Sequence, residues 1–123
     1  MCLKYSPLGV LLQTINLGTN ETVYGLAVDS TGNIYMSLNN QSVQPYIYSV
    51  VKVSSSGTIV WRVSGGSGAT QLGWPWGIAV DSAGNVYSIQ SAGNHGIFKY
   101  NSTGASVSQI IPFDAAYALA IDS

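Results

Sequence analysis

Two short runs, "YGLAV" at Tyr24 to Val28 and "WGIAV" at Trp76 to Val80, are apolar at almost every position, and each leads into a cluster of Asp, Ser, Gly and Asn. Apolar runs of this length bounded by turn residues predict strands buried on both faces between neighbouring sheets. They are expected to be the innermost strands or nearly so. The segments that follow, "NIYMSL" and "NVYSI", alternate, with Ile34, Met36 and Leu38 on one face and Tyr35 on the other, which predicts second strands. Between first and second strands, Asp-Ser-x-Gly-Asn predicts a tight hairpin. The carboxylate of Asp29 or Asp81 accepts backbone N–H groups just ahead of it, Gly32 or Gly84 supplies positive φ, and Asn33 or Asn85 tolerates irregular dihedrals. "YIYSVVKV" and "GIFKY" predict third strands, "SSSG" and "NSTG" the next turns, and "TIVWRV" and "SVSQII" fourth strands.

The pattern repeats. Gly/Ala-apolar-Ala-apolar-Asp-Ser begins at Gly25, Gly77 and Ala118, with spacings of 52 and 41 residues, and Lys-apolar-(Ser/Asn)-x-x-Gly begins at Lys4, Lys52 and Lys99, with spacings of 48 and 47. A period of this size matches one four-stranded propeller blade. Charge follows the same register: Lys4, Lys52 and Lys99 are three of the four basic residues, and Asp29, Asp81 and Asp122 three of the five acidic ones. A residue reused in every unit ordinarily serves the unit's fold. The expected organisation is therefore the tail of a preceding blade over 1–18, a blade over 22–63, a Gly/Ser-rich loop over 64–73, a blade over 74–111 and a first strand over 117–123.

Composition supports strands and turns over helices, since only 7% of residues are charged, against about a quarter in ordinary domains, while 46% are hydrophobic. A net charge of −1 gives no basic patch for phosphates, so no nucleic-acid partner is expected. Cys2 is the single cysteine and allows no intrachain disulfide. Pro7 and Gly9 interrupt the first apolar run, and no stretch is long enough for a membrane helix, so neither a signal peptide nor membrane insertion is expected.

The stretch "WPWGIAVDSAGNVYSIQSAGNHGIFKYNSTG" resembles an NHL repeat in its Pro-x-Gly-Ile-Ala-Val-Asp, its Gly-Asn-Val-Tyr and its Gly-Asn-His before an apolar strand; "VYGLAVDSTGNIYM" through "KVSSSGTIVW" is similar to a more diverged copy. The resemblance spans nearly the whole chain. It implies an all-β fold, an incomplete β-propeller of four-stranded antiparallel blades. The sequence departs from that family's pattern at Ile89–Gln90, where Ala-Asp is frequent, at Gly96, where Arg is frequent, and in the inserted "NNQSVQPY". The resemblance thus implies a fold without an inherited ligand.

Candidate chemistry is sparse. His95 is the only histidine and has no grouping of His, Cys or Glu near it in sequence, so its expected role is that of a loop residue with a place on the binding surface. Asp29, Asp81 and Asp122 are expected to cap turns and not to gather round a cation, since one acid per repeat falls short of an oxygen-rich site. Trp74 and Trp76, after the Gly/Ser-rich loop, form a candidate aromatic platform for a sugar or a side chain, and Tyr46 and Tyr48 in the tyrosine-rich insertion form a second candidate. Asn20, Asn40 and Asn101 open Asn-x-Ser/Thr triplets, which fit an extracellular protein without fixing the compartment.

With no catalytic cluster, no metal site and no cofactor signature, the expected function is a non-catalytic binding or scaffold module. Its partners would be another protein, a glycan, or copies of itself through open strand edges. The competing expectation is a piece of a propeller lyase or hydrolase whose catalytic residues lie in other blades.

Overall fold

A computed structural model describes residues 1–42, 46–65, 73–90, 96–109 and 118–122. Among these residues the chain is all-β. Strands β1 (Cys2–Tyr5) and β2 (Leu11–Ile15) pair as a hairpin; β3 (Glu21–Val28), β4 (Ile34–Asn40), β5 (Ile47–Val53) and β6 (Ile59–Gly65) form one antiparallel meander, and β7 (Pro75–Val80), β8 (Val86–Gln90), β9 (Gly96–Tyr100) and β10 (Ser106–Gln109) form another.

Five hairpins share one turn design. Each begins with Ser6, Asp29, Ser54, Asp81 or Asn101, whose backbone carbonyl accepts the N–H of a glycine three residues on, at 2.9–3.0 Å. Those glycines, from Gly9 to Gly104, all have φ between 79° and 89°, the left-handed region where a Cβ is penalised. The side-chain oxygen of the same opening residue accepts the N–H four residues on, from Val10, Asn33, Thr58, Asn85 or Ala105, at 2.8–3.1 Å. Asp, Ser and Asn are interchangeable here because each offers a short-reach acceptor oxygen.

The three sheets stack in layers, with the β3–β6 sheet in the middle. Its even-numbered face on β4, carrying Ile34, Met36 and Leu38 beside Val51 and Val53, packs against Ile15, Leu17 and Cys2 of the β1–β2 layer. The opposite face, carrying Tyr35 and Val50, packs against Ile78, Val86 and Tyr100 of the β7–β10 sheet. Strand β4 is accordingly buried from Ile34 to Asn39, its polar Ser37 and Asn39 included. β7 runs over β3 and β4, so the layers meet through their first strands.

That approach is close enough to need a glycine. A Cβ on Gly25 would lie 2.6 Å from the Trp76 carbonyl oxygen and 3.2 Å from Ile78 Cγ2. Struts cross between layers at the other edge as well: Trp61 Nε1 donates to the Ser102 carbonyl at 3.1 Å, and Gln13, at the same place in the preceding hairpin, donates through Nε2 to the Ser56 carbonyl at 2.5 Å.

Three expectations are corrected. β3 is not covered on both faces: Leu26 and Val28 are 50% and 55% exposed, whereas Ile78, at the equivalent place in β7, is 7% exposed. The β1–β2 layer contributes two strands and ends over β4, which leaves this part of β3 bare. Residues 118–122 are not a strand, because no neighbouring strand among the described residues gives them a ladder. β6 continues through Ser64 and Gly65, expected in the Gly/Ser-rich loop, because Tyr48 pairs with Gly65 and the Ser49 and Ser64 hydroxyls lie 2.8 Å apart.

An ion pair joins the two edge strands of the middle sheet, β3 and β6, and one further bond ties it to the segment before them. Arg62 donates through Nη1 to Glu21 Oε1 at 2.5 Å, and through Nη2 to Glu21 Oε2 at 3.0 Å and to the Leu17 carbonyl at 2.8 Å. The Glu21 side chain is only 7% exposed, so removing its partner strands a carboxylate away from water. Arg62→Ala is expected to lower the unfolding free energy by about 3 kcal/mol, read from urea denaturation, and Arg62→Lys, which loses the two-pronged geometry, by a smaller amount.

Candidate functional site

The strands place potentially functional side chains at both ends of the interface between the two four-stranded sheets. At the end where β3, β5 and β7 begin, five rings gather: Tyr24, Tyr46, Tyr48, Trp74 and Trp76. Tyr24 meets Trp74 and Trp76 edge-on, with ring centroids 6.0 and 5.9 Å apart. Tyr46 meets Trp74 edge-on at 6.5 Å, and Tyr48 lies tilted against it at 6.2 Å. These separations suit attractive quadrupole contacts.

Local backbone irregularity aims two of the rings. The β3–β4 ladder shifts register between Val23 and Gly25, which leaves Tyr24 as the extra residue, and the β7–β8 ladder shifts between Pro75 and Ile78, around Trp76. A bulge re-aims its side chain away from the pleat. Tyr46 just before β5, Tyr48 within it and Trp74 then gather beside the two bulges.

The same end holds buried polar atoms without a partner among the described residues. Trp74 Nε1 and both amide atoms of Asn39, which pairs with Tyr48 in the ladder, find no hydrogen bond there, and neither do the Ser37 and Ser88 hydroxyls farther along the strands. Gln90, by contrast, accepts the Gly73 N–H at 2.7 Å. Burial pushes the Tyr48 hydroxyl above its ordinary pKa, helped by neighbouring Tyr24 and Tyr46. It also pushes Tyr100 up to about 12, against a hydrogen bond from Gln90 that acts the other way. Both phenols are neutral donors throughout the physiological range.

At the opposite end, each aspartate organises a small network. Asp29 Oδ1 accepts the Thr31 N–H, the Thr31 hydroxyl and the Asn33 N–H, and Oδ2 accepts Asn33 Nδ2 and the Tyr35 hydroxyl, at 2.8–3.0 Å. Asp81 does the same with Ala83, Asn85 and Tyr87. Over the ring of each tyrosine stands the repeat's lysine, Lys52 Nζ 5.3 Å from the Tyr35 ring centre and Lys99 Nζ 5.4 Å from that of Tyr87. Burial disfavours the Asp29 carboxylate, but hydrogen bonds from Asn33, Thr31 and Tyr35 outweigh it and hold its pKa far below the usual carboxylate range. The Asn85 hydrogen bonds lower that of Asp81 likewise, against a smaller opposing effect of burial.

Asp29, Asp81 and Asp122 line one cleft of about 450 Å³ together with Lys52. The carboxylates of Asp29 and Asp81 are spent on their own turns. Among the described residues no three His, Cys, Asp or Glu side chains stand close enough to hold a metal ion.

The structure thus brings Trp74, Trp76, Tyr46 and Tyr48 into one cluster and adds Tyr24. The signal for Tyr24 lay in the repeat itself, because an aromatic precedes Gly-apolar-Ala-apolar-Asp in both units. Tyr35 and Tyr87 were likewise passed over as partners of the aspartates. His95, most of the Gly/Ser-rich loop (66–72) and the end of the second unit (110–117) lie outside the described residues. Neither the protein-family models nor the curated proteins searched contain a match to this chain.

Proposed function

We infer that the chain is a run of stacked blades of a β-propeller of the NHL type and works as a non-catalytic binding module, taking a partner protein or a glycan at its aromatic end. The observation that carries this is the five-ring cluster, mounted on the bulges of two adjacent first strands. Rigid strands set the rings, and Gln41 of the inserted segment donates to the Tyr24 hydroxyl at 3.2 Å, an arrangement in which scaffolds commonly present binding residues. Unpartnered donors at Trp74 and Asn39 supply hydrogen-bonding capacity beneath a surface suited to the apolar face of a sugar or to an aromatic side chain. The stacking of the four-stranded sheets through β3 and β7 supports the blade assignment.

A glycan array and a peptide array probed with the wild-type chain and with Tyr46→Ala and Trp76→Ala variants test the proposal. Tyr46 and Trp76 are half-buried, so the far-UV circular dichroism of the variants should stay close to wild type. Wild-type binding to at least one probe class, reduced tenfold or more in both folded variants, is the expected result. Binding unaffected by either change, or none on either array, would overturn it.

A further inference from the structure

Beside the aromatic cluster lies an amide that the fold buries without using. Asn39 is fully buried on β4, on the face opposite Leu38, and neither its Oδ1 nor its Nδ2 finds a partner among the described residues. Its neighbour in the ladder is Tyr48, whose ring lies 6.2 Å from that of Trp74, and Trp74 Nε1 is buried and unpartnered as well. Each stranded atom costs about 1–3 kcal/mol, a large burden for a domain stable by only about 5–15 kcal/mol. A burden gathered at one place calls for a reason outside the fold.

The atoms themselves define what fits. Oδ1 accepts while Nδ2 and Nε1 donate, so the complement must offer donors and acceptors side by side, which hydroxyls on adjacent carbons do and a carboxylate, phosphate or ammonium does not. Charge points the same way. Glu21, which opens β3 at this end, is spent on Arg62, and the repeat's lysines and aspartates stand at the turns of the opposite end, so no unpaired charged side chain among the described residues awaits an ionic ligand. An extended peptide is the poorer fit, because it pairs its backbone along a free strand edge and β4 lies inside its sheet.

We propose that the aromatic end binds an uncharged pyranose, which lays its C–H face on the half-buried rings and directs neighbouring hydroxyls to the Asn39 amide and to Trp74 Nε1. Apolar contact with the rings supplies most of the affinity, and the buried amide selects for hydroxyl-bearing ligands. Acidic sugars are disfavoured, since a carboxylate here loses water and gains no counter-charge. The proposal rests on the reading of this end as a binding surface.

Methyl glycosides of glucose, galactose, mannose and N-acetylglucosamine, with methyl glucuronide as the charged control, can be titrated into the full chain while tryptophan fluorescence is followed. A saturable change is expected with at least one neutral glycoside, and none with methyl glucuronide over the same range. Asn39→Leu keeps much of the side chain's shape and removes the stranded amide, so without sugar its urea midpoint should equal or exceed that of wild type, while its affinity for the glycoside falls at least tenfold. Trp74→Phe, which keeps a ring and loses Nε1, should weaken binding by a smaller factor. Neutral glycosides that fail to bind, methyl glucuronide that binds as tightly, or binding indifferent to both Asn39→Leu and Trp74→Phe would overturn the proposal. So would an Asn39→Leu midpoint well below wild type, the mark of an amide that the fold itself uses. Peptides bound on the array while the glycosides stay silent would remove the sugar and leave the binding surface in place; silence of both would remove the two together.

Discussion

Gly25→Val is expected to destabilise the chain by about 3 kcal/mol or more, the upper end of what overpacking a well-filled interior costs. Gly25 does not sit in the left-handed region, so the requirement is for space. An added Cβ would meet the Trp76 carbonyl oxygen at 2.6 Å and Ser37 Oγ at 2.9 Å. The first of these is backbone, held in the β7 strand, and cannot rotate away as a side chain can. Relief must come from pushing the two four-stranded sheets apart, which loosens Tyr35, Val50, Ile78 and Tyr100 together. Since small domains are stable by only about 5–15 kcal/mol, the loss should show as a large fall in the urea midpoint. Gly9→Val provides the contrast: nothing lies within 4 Å of its Cβ position, and φ of +79° alone should cost about 1–2 kcal/mol.

Asp29→Ala is expected to cost a further 2–3 kcal/mol or so, by a different route. Five donors lose their acceptor, and while Thr31 and Asn33 sit near solvent, the Tyr35 side chain is fully buried. Asp29→Asn keeps an oxygen for the backbone N–H groups but turns an amide toward Asn33 and Tyr35, so it should fall between wild type and alanine. The two variants also differ from wild type in acid. A carboxyl whose folded pKa is depressed adds stability that is fully present above its unfolded value, near 3.9, and is lost as the pH drops below that toward the folded value. Wild type should therefore lose stability between pH 5 and pH 2 more steeply than Asp29→Asn, in urea melts taken across that range. Asp81, lowered in the same direction, keeps part of the slope in the variant.

Much of the strand pattern was legible because period and punctuation agree. "GIFKY" is β9 residue for residue, and every Gly of the Asp/Ser/Asn-x-x-Gly turns adopts the positive φ that its position implies. The aspartates' role was legible in outline, since Asp ahead of Gly-Asn predicts an Asx-type turn. What escaped depends on contacts between segments distant in sequence. That Lys52 covers Tyr35 follows from the β4–β5 register, which the sequence does not state. The burial of Ser37 and Asn39, on the face of β4 opposite Met36 and Leu38, requires knowing that the middle sheet is covered twice. Leu26 and Val28 look as buried as Ile78 when only the motif is considered, because their exposure comes from the extent of the neighbouring layer and not from their own pattern. The aromatic cluster was half legible: Trp74, Trp76, Tyr46 and Tyr48 stood out by composition, whereas Tyr24 was marked only by sharing the place of Trp76 ahead of Gly-apolar-Ala, and its contact with the other rings depends on the bulge.

The two four-stranded sheets stack face to face, first strand against first strand, and nuclear Overhauser contacts in the isotopically labelled chain are the direct test. Cross-peaks are expected from Gly25 Hα to the Ile78 methyls and from the Tyr35 ring to the protons of Val86 or Tyr100. Absence of these, with backbone contacts instead joining β3 and β7 edge to edge in one continuous sheet, would contradict that stacking.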